Sequence, residues 1–202
     1  MKIYRAVKTN LLTQTFGLKG TKVELIPLYN SLKPPLLAHD GFDWAVLCKA
    51  NKVKHGGQCE AVYCDLDIKS TVIEISENDE FGFGIVAISE DKDGIFQHLW
   101  WHLDDISDDL KVGTVLESGD YLGIAGNTGR STGAHLHRQI RPMARDVYGN
   151  LYKTQLNNGY NGAIDIEPYF ENKFVLDVIS GLQAQLGIIQ QLVNLFKSLL
   201  KK

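Results

Sequence analysis

The sequence predicts a mainly β protein, a compact antiparallel β-sheet domain with a C-terminal amphipathic α-helix. The hydrophobic share of 44% and the charged share of 22% are normal for a globular chain of 202 residues. Up to about residue 170, short runs of β-branched and aromatic residues alternate with polar turns, a pattern typical of strands. After that point the apolar spacing changes to a helical one. We therefore expect two units, residues 1–170 and residues 171–202.

Within the first unit, residues 1–38 show no helical period, so short strands and loops are predicted there. The next strands are predicted at residues 61–63, 71–75, 81–88 and 95–103, with residues 76–80 as a polar turn. Two short strands are expected within residues 112–125. Consecutive strands joined by short turns indicate an antiparallel meander.

The second unit carries a heptad pattern. Apolar residues alternate spacings of four and three through Val175, Ile179, Leu182, Leu186, Ile189, Val193, Phe196 and Leu200. Such a seam predicts that the helix associates with another copy or docks in a partner's groove. The alternative is that it folds back onto its own β-domain. A membrane span is disfavoured because several glutamines, among them Gln183, Gln185 and Gln190, would be costly in hydrocarbon.

Charge and cysteine content narrow the class of protein further. The net charge of -3, without a basic stripe, gives no indication of nucleic-acid binding. The first nine residues carry charges and no apolar core of signal-peptide length, so we expect no conventional secretory signal in this chain. Cys48, Cys59 and Cys64 are odd in number and contain no C-x-x-C pair, which disfavours a cysteine zinc site. At most one internal disulfide is possible, and we expect all three to be plain buried thiols instead.

A glycine-rich stretch at residues 126–134 leads directly into His135-Leu136-His137. On a β-strand a two-residue spacing points both imidazoles to one face and Leu136 to the other. Two imidazoles held side by side indicate either a metal site or a proton-transfer site.

Further candidate ligands lie earlier in the chain. His39 and Asp43 are four residues apart with Gly41 between them, and on an extended chain they share a face. Together with either His135 or His137 they offer two nitrogens and one oxygen, the three-ligand set of a catalytic zinc ion. His98 and His102 lie on a predicted strand and are expected to share one of its faces.

The order of these motifs, H-x-G-x-D, then W-H-L, then G-N-T-G-R-S-T-G-A-H-L-H, closely resembles that of the lysostaphin-type zinc endopeptidases, which cut the peptide part of bacterial peptidoglycan. The resemblance covers roughly residues 13–170. It implies a compact antiparallel fold of the duplicated hybrid type, with one zinc ion bound by His39, Asp43 and His137. It further implies that His102 and His135 are catalytic.

The same resemblance implies action at the bacterial cell wall and a mechanism in which a zinc-activated water attacks the scissile carbonyl. Tyr29, which precedes His39, is a candidate for a tyrosine that relatives use to stabilise the oxyanion. Residues 49–57 look like an insertion relative to the family pattern. This insertion removes none of the site residues.

Two alternative functions stay open at this point. One is a catalytically silent cell-wall-binding or activator module, which the complete set of five site residues disfavours. The other is a phosphoryl-carrier domain with paired histidines. Asp43 disfavours that function because a carboxylate aimed at the same point would repel a phosphorylated histidine.

Overall fold

The computed structural model describes residues 1–49 and 58–199 and confirms the predicted class, a mainly β chain that ends in a long helix. All but one residue of the expected insertion lie outside the described residues, as does Leu200. The strands are β1 (Ile3–Arg5), β2 (Leu12–Gln14), β3 (Phe42–Ala45), β4 (Ala61–Tyr63), β5 (Ser70–Asn78), β6 (Gly82–Asp91), β7 (Gly94–Ile106), β8 (Val115–Leu116), β9 (Tyr121–Ala125), β10 (His135–Arg145), β11 (Leu151–Lys153) and β12 (Phe170–Phe174). The α-helices are α1 (Gly17–Gly20), α2 (Ile26–Asn30) and α3 (Val175–Leu199), and the 3₁₀ turns are Val23–Leu25 and Glu167–Tyr169.

Most strands form one large antiparallel sheet in the order β2-β3-β10-β7-β6-β5-β8, with β11 beside β10 and β9 bridging β7 and β4. β10 lies between β3 and β7, and its register pairs His137 with Asp43 on one side and with Trp101 on the other. The predicted alternation holds on β10, because Leu136 and Ile140 are fully buried in the hydrophobic core while His135 and His137 face the opposite side. β10 thus carries core residues on one face and candidate site residues on the other.

The prediction of strands and loops throughout residues 1–38 is wrong for residues 17–30, which form α1, a 3₁₀ turn and α2. Pro27 stands at the start of α2, where a missing backbone N–H has no cost. These helices are only three to five residues long, too short to show a 3.6-residue period. The polar turn expected at residues 76–80 is also shorter than predicted, since β5 continues to Asn78 against β6.

The expectation of buried thiols is correct for Cys64, which is free and fully buried. It is wrong for Cys48 and Cys59, which form a disulfide. Cys48 follows β3 and Cys59 precedes β4, and a hydrogen bond from the Leu47 amide to the Glu60 carboxylate holds the two flanking segments together. The sequence alone could not show that these two segments meet.

A buried ion pair, which the sequence analysis did not identify, lies on the core face of β10. Arg138 Nε donates to Asp65 Oδ2 at 2.9 Å and Nη2 donates to Oδ1 at 3.1 Å, with both side chains fully buried. The guanidinium carbon lies 4.2 Å from the centre of the Trp100 ring. This geometry is bidentate and stacked, which favours arginine over lysine at this position.

His98 extends this buried network. Its Nδ1 accepts a hydrogen bond from Arg138 Nη2 at 3.2 Å, and its Nε2 lies 2.7 Å from the Ser89 hydroxyl. Because an arginine can only donate, Nδ1 is the unprotonated nitrogen and Nε2 carries the proton. Burial and then the Arg138 charge lower the pKa of His98 well below its usual value, so the ring is neutral. His98 is a structural residue of the core.

Helix α3 leaves the β-sheet domain after its first turn. Val175 is fully buried and Ile179 partly buried, but all residues from 180 to 194 are exposed. Within the described part of the helix, the heptad seam beyond Ile179 therefore does not fold back against the sheet. No helix in the described part of the chain is long and apolar enough to cross a membrane. The predicted boundary between residues 170 and 171 falls within β12, which pairs with β1.

We predict that Arg138→Met destabilises the protein by about 3–5 kcal/mol, because it leaves the Asp65 carboxylate buried without its partner. The matched control is Arg145→Met, whose pair with Glu90 has side chains 43% and 55% exposed and should change stability by about 1 kcal/mol or less. Urea unfolding measures both free energies. Equal losses in the two variants would contradict a structural role for the buried pair.

We also predict that α3 associates with a second copy of the chain, because its exposed seam would otherwise remain in water. Leu186→Glu places a charge in the seam, whereas Gln191→Glu places the same charge on the opposite side of the helix. Sedimentation equilibrium should give a larger mass for the wild type and Gln191→Glu than for Leu186→Glu or a chain ending at Ser180. That end point keeps the buried Phe174 and Val175. Monomer masses for all four proteins would refute self-association.

Candidate metal centre and catalytic site

Three side chains converge on one point beside β10. His39 Nε2 lies 3.0 Å from His137 Nδ1 and 3.0 Å from Asp43 Oδ1, and His137 Nδ1 lies 2.9 Å from the same carboxylate oxygen. Asp43 is on β3 and His137 on β10, and their direct cross-strand pairing brings the two side chains together. His39 precedes β3 and closes the triangle. All three are buried.

The ring of His39 is oriented by a hydrogen bond on its far side. Its Nδ1 lies 3.0 Å from the Thr15 carbonyl oxygen, so Nδ1 carries the proton and Nε2 presents its lone pair to the cluster. The His39 amide donates to Thr21 Oγ1, and its carbonyl accepts from the Gly17 amide. The short helix α1, missed by the sequence analysis, therefore supports the first histidine.

Charge balance in the cluster favours an ionised Asp43. Burial alone would raise its pKa, but the neighbouring His39 and His135 rings hold the pKa of Asp43 well below its usual value. The same carboxylate outweighs burial at His39 and raises the pKa of that imidazole. Gln14 Nε2 also donates to Asp43 Oδ2 at 3.0 Å. The second carboxylate oxygen is thereby fixed.

The donor set fits a zinc ion. Two imidazole nitrogens and one carboxylate oxygen form the three-ligand set of catalytic zinc sites. With zinc–ligand bonds of about 2.0–2.2 Å, tetrahedral geometry places ligand atoms about 3.3–3.5 Å apart. The separations of 2.9–3.0 Å in this cluster are within a few tenths of an ångström of that spacing. The cluster could accept a metal with only small shifts.

His102 and His135 form a second pair beside the cluster, with ring centres 4.6 Å apart. His102 Nδ1 lies 2.9 Å from the Thr128 carbonyl oxygen, and His135 Nδ1 lies 2.8 Å from that of Gly133. Each Nδ1 therefore carries the proton, and each Nε2 is left with a lone pair. Burial lowers the pKa of His102 well below its usual value, as do His135 and His137, so His102 is neutral.

The expectation that His98 and His102 share a face is wrong. His102 has a φ of 63°, and the pairing of β7 shifts register between Leu103 and Trp100 against β6. This left-handed residue interrupts the alternation of the strand, as in a β-bulge. His98 points into the core, whereas His102 lines the cleft with His135 and His137.

Tyr29 and the cleft walls complete the site. The Tyr29 hydroxyl donates to Gln14 Oε1 at 3.3 Å, and its ring centre lies 5.8 Å from that of His39. Burial raises the pKa of Tyr29, so its hydroxyl stays protonated and can donate. The cleft wall around it is largely apolar and includes Leu25, Leu28, Leu32 and Phe81.

Sequence reasoning missed two side chains that support the site. Gln14 contacts Asp43, and Asp40 is 2% exposed with Oδ1 at 3.5 Å from His137 Nε2. Asp40 is adjacent to His39 in the H-x-G-x-D motif, so the motif was the available signal. The second position of this motif is written as any residue, and only the fold shows that the Asp40 carboxylate is buried.

The sequence and the fold were compared with those of known proteins. The model of Peptidase family M23 matches residues 68–150, a segment that contains His102, His135 and His137. A search of curated proteins gives no match.

Solved structures share the fold, among them two bacterial proteins. A zinc-containing peptidase from Vibrio cholerae aligns with a TM-score of 0.52 and 19% identity over 86% of this chain and 39% of its own. Csd3 from Helicobacter pylori aligns with a TM-score of 0.51 and 16% identity over 98% of this chain and 44% of its own. The chain thus spans less than half the length of either protein. Residues 68–150 thus match the model of Peptidase family M23. The shared fold agrees with the resemblance found in the sequence.

Proposed function

We propose that the protein is a zinc endopeptidase that hydrolyses peptide bonds in the stem or cross-bridge of bacterial peptidoglycan. The observation that carries this proposal is the convergence of His39, Asp43 and His137 beside the His102–His135 pair in one cleft. A metal-ligand set next to two histidines that can transfer protons is the arrangement that metal-assisted hydrolysis requires. The match of residues 68–150 to Peptidase family M23 supports peptidoglycan as the substrate and the cell wall as the place of action.

In this proposal His39 Nε2, Asp43 Oδ1 and His137 Nδ1 hold one zinc ion. When bound, zinc supplies Lewis acidity and lowers the pKa of a coordinated water to about 7. The chain's own contribution is to fix the three donors, through Thr15 behind His39 and Gln14 beside Asp43. Donors held in this way lose little freedom when they bind a metal.

His102 and His135 are proposed to move the proton. Each presents Nε2 to the cleft while Nδ1 is held by a backbone carbonyl, so each can accept a proton at Nε2 and return it to the leaving amine. Once protonated, either ring could stabilise an oxyanion. The Tyr29 hydroxyl, an additional donor in the same cleft, is proposed to assist in that stabilisation.

The alternative functions receive less support. A phosphoryl carrier would have to place an anion beside Asp43, whose Oδ1 lies 2.9 Å from His137 Nδ1 and whose Oδ2 lies 3.6 Å from His135 Nε2. Coulomb repulsion at such distances disfavours a phosphohistidine. A silent binding module would have no need for the ordered hydrogen bonds behind His39, His102 and His135.

We predict about one zinc ion per wild-type chain and a large loss of zinc in His39→Ala and Asp43→Ala, because each substitution removes one of three donors. Metal analysis of dialysed protein measures the zinc content. His98→Gln, which alters a buried histidine outside the cluster, should keep its zinc. Full occupancy in both His39→Ala and Asp43→Ala would refute the ligand assignment.

Replacing His102 is predicted to slow peptidoglycan cleavage by about 10²- to 10⁴-fold, the usual effect of losing a general acid or base. His102→Asn is the suitable variant, because asparagine tolerates the left-handed backbone at this position. Its zinc content should match that of the wild type. The measurement is clearance of purified cell walls, with soluble products identified by mass spectrometry.

The control for this experiment is His98→Gln, which removes the other β7 histidine from the core. It is expected to lower thermal stability but to lose far less activity per folded molecule. If His98→Gln lost more activity than His102→Asn at equal zinc content, the choice of catalytic histidine would be wrong. A zinc-loaded wild type without any cleavage would instead favour the silent-module alternative.

A further inference from the structure

The imidazole of His137 lies between two carboxylates. On one side Nδ1 is 2.9 Å from Asp43 Oδ1, within the proposed metal cluster. On the other side Nε2 is 3.5 Å from Asp40 Oδ1. Within the described chain, Nε2 is fully buried and makes no hydrogen bond. A buried N–H without an acceptor is costly, so the nearby Asp40 oxygen needs an explanation.

Asp40 is held rigidly from its other side. Its Oδ2 accepts a hydrogen bond from the Gln139 side-chain amide, and Asp40 and Gln139 are only 2% and 1% exposed. Gln139 follows His137 by two residues on β10 and so lies on the same face of the strand. The carboxylate is therefore anchored by the same strand that carries the histidine.

Two basic side chains, Arg141 and Lys153, interact electrostatically with Asp40. Burial lowers the pKa of Arg141. Burial and the charge of Arg141 together lower the pKa of Lys153 to about 8. The interaction with Asp40 acts in the opposite direction on both pKa values. Arg141 is on the same face of β10, and Lys153 is on the adjacent strand β11.

Gly41 allows the approach of Asp40 to His137. A Cβ atom at position 41 would lie 2.9 Å from both Cε1 and Nε2 of His137 and 2.4 Å from the Arg138 carbonyl oxygen. Such distances are below van der Waals contact, so a side chain there would displace the ring or the strand. The backbone of Gly41 thus covers the Nε2 edge of the ring and leaves Asp40 as the acceptor within reach.

We propose that Asp40 is a positioning residue that accepts a hydrogen bond from Nε2–H of His137 and so keeps the Nδ1 lone pair directed at the metal. A histidine that binds a metal through Nδ1 must carry its proton on Nε2. Zinc-ligating histidines commonly donate that proton to a carboxylate, which fixes the tautomer and the ring orientation. A closure of a few tenths of an ångström would bring the 3.5 Å separation into hydrogen-bonding range. This inference rests on the proposed zinc site.

The first test is zinc affinity of the purified full chain, measured by competition with a chromophoric chelator. Asp40→Asn should raise the zinc dissociation constant by about 10- to 100-fold, as is usual when such an outer carboxylate is lost. Asp109→Asn removes the same charge from an exposed turn and should leave the affinity unchanged. Equal affinities in Asp40→Asn and Asp109→Asn would overturn the proposal.

The second test determines the tautomer of His137 directly, first in the wild type and then in Asp40→Asn. Long-range ¹H–¹⁵N correlation spectra of the zinc-loaded wild type should show His137 with a protonated Nε2 and an Nδ1 shifted by the metal. In Asp40→Asn the Nε2–H resonance should move upfield, a change that a purely structural role would not produce. A wild-type spectrum with the metal on Nε2 of His137 would overturn the proposal even if Asp40→Asn failed to fold.

The outcomes separate this inference from the proposed function. If the zinc-loaded chain cleaves peptidoglycan but its zinc affinity does not depend on Asp40, only the inference is overturned. An Asp40-dependent zinc affinity without peptidoglycan cleavage would support the inference and contradict the proposed substrate. A wild type that binds no zinc would contradict both.

Discussion

The antiparallel pairing of β10 with β3 is the constraint on which the site depends. It sets His137 directly opposite Asp43 and pairs Leu136 with Trp44 on the core side. A slip by one residue would exchange these faces, burying the imidazoles in the core and exposing Leu136. Because the buried Leu136 and Ile140 would lose their contacts, the free energy of the core enforces the register that assembles the site. Site geometry and stability are thus coupled.

Buried charges lie beside both faces of β10, and the two charges have different partners. On the core face Arg138 is neutralised by Asp65, stacks on Trp100 and is enclosed completely. On the cleft face the recorded contacts of the Asp43 carboxylate, within the described part of the chain, are with imidazoles and the Gln14 amide. This set leaves the carboxylate able to bind a cation. A closed ion pair is structural, whereas a carboxylate among imidazoles and an amide is available for chemistry.

The left-handed residue His102 shows how a local irregularity creates part of the site. In a regular strand it would follow His98 and Trp100 onto the core face, because side chains two apart share a face. The bulge turns its ring to the cleft, where Thr128 fixes it through Nδ1. Non-glycine residues with positive φ are uncommon and cluster at functional positions. The strain at His102 agrees with its proposed catalytic role.

By itself, the sequence determined the mainly β class and the long C-terminal helix, because periodicity is a local property. The order of its motifs, through a resemblance to a peptidase family, identified five candidate site residues. The tertiary structure decided what depends on segments far apart in the chain: the Cys48–Cys59 disulfide, the Asp65–Arg138 pair and the burial of Asp40 against His137. It also separated His98 from His102, since a bulge depends on the register with neighbouring strands. The spacing of residues along a chain predicts which face of a strand a side chain occupies only where the backbone is regular. Functional sites such as this one contain irregular backbone.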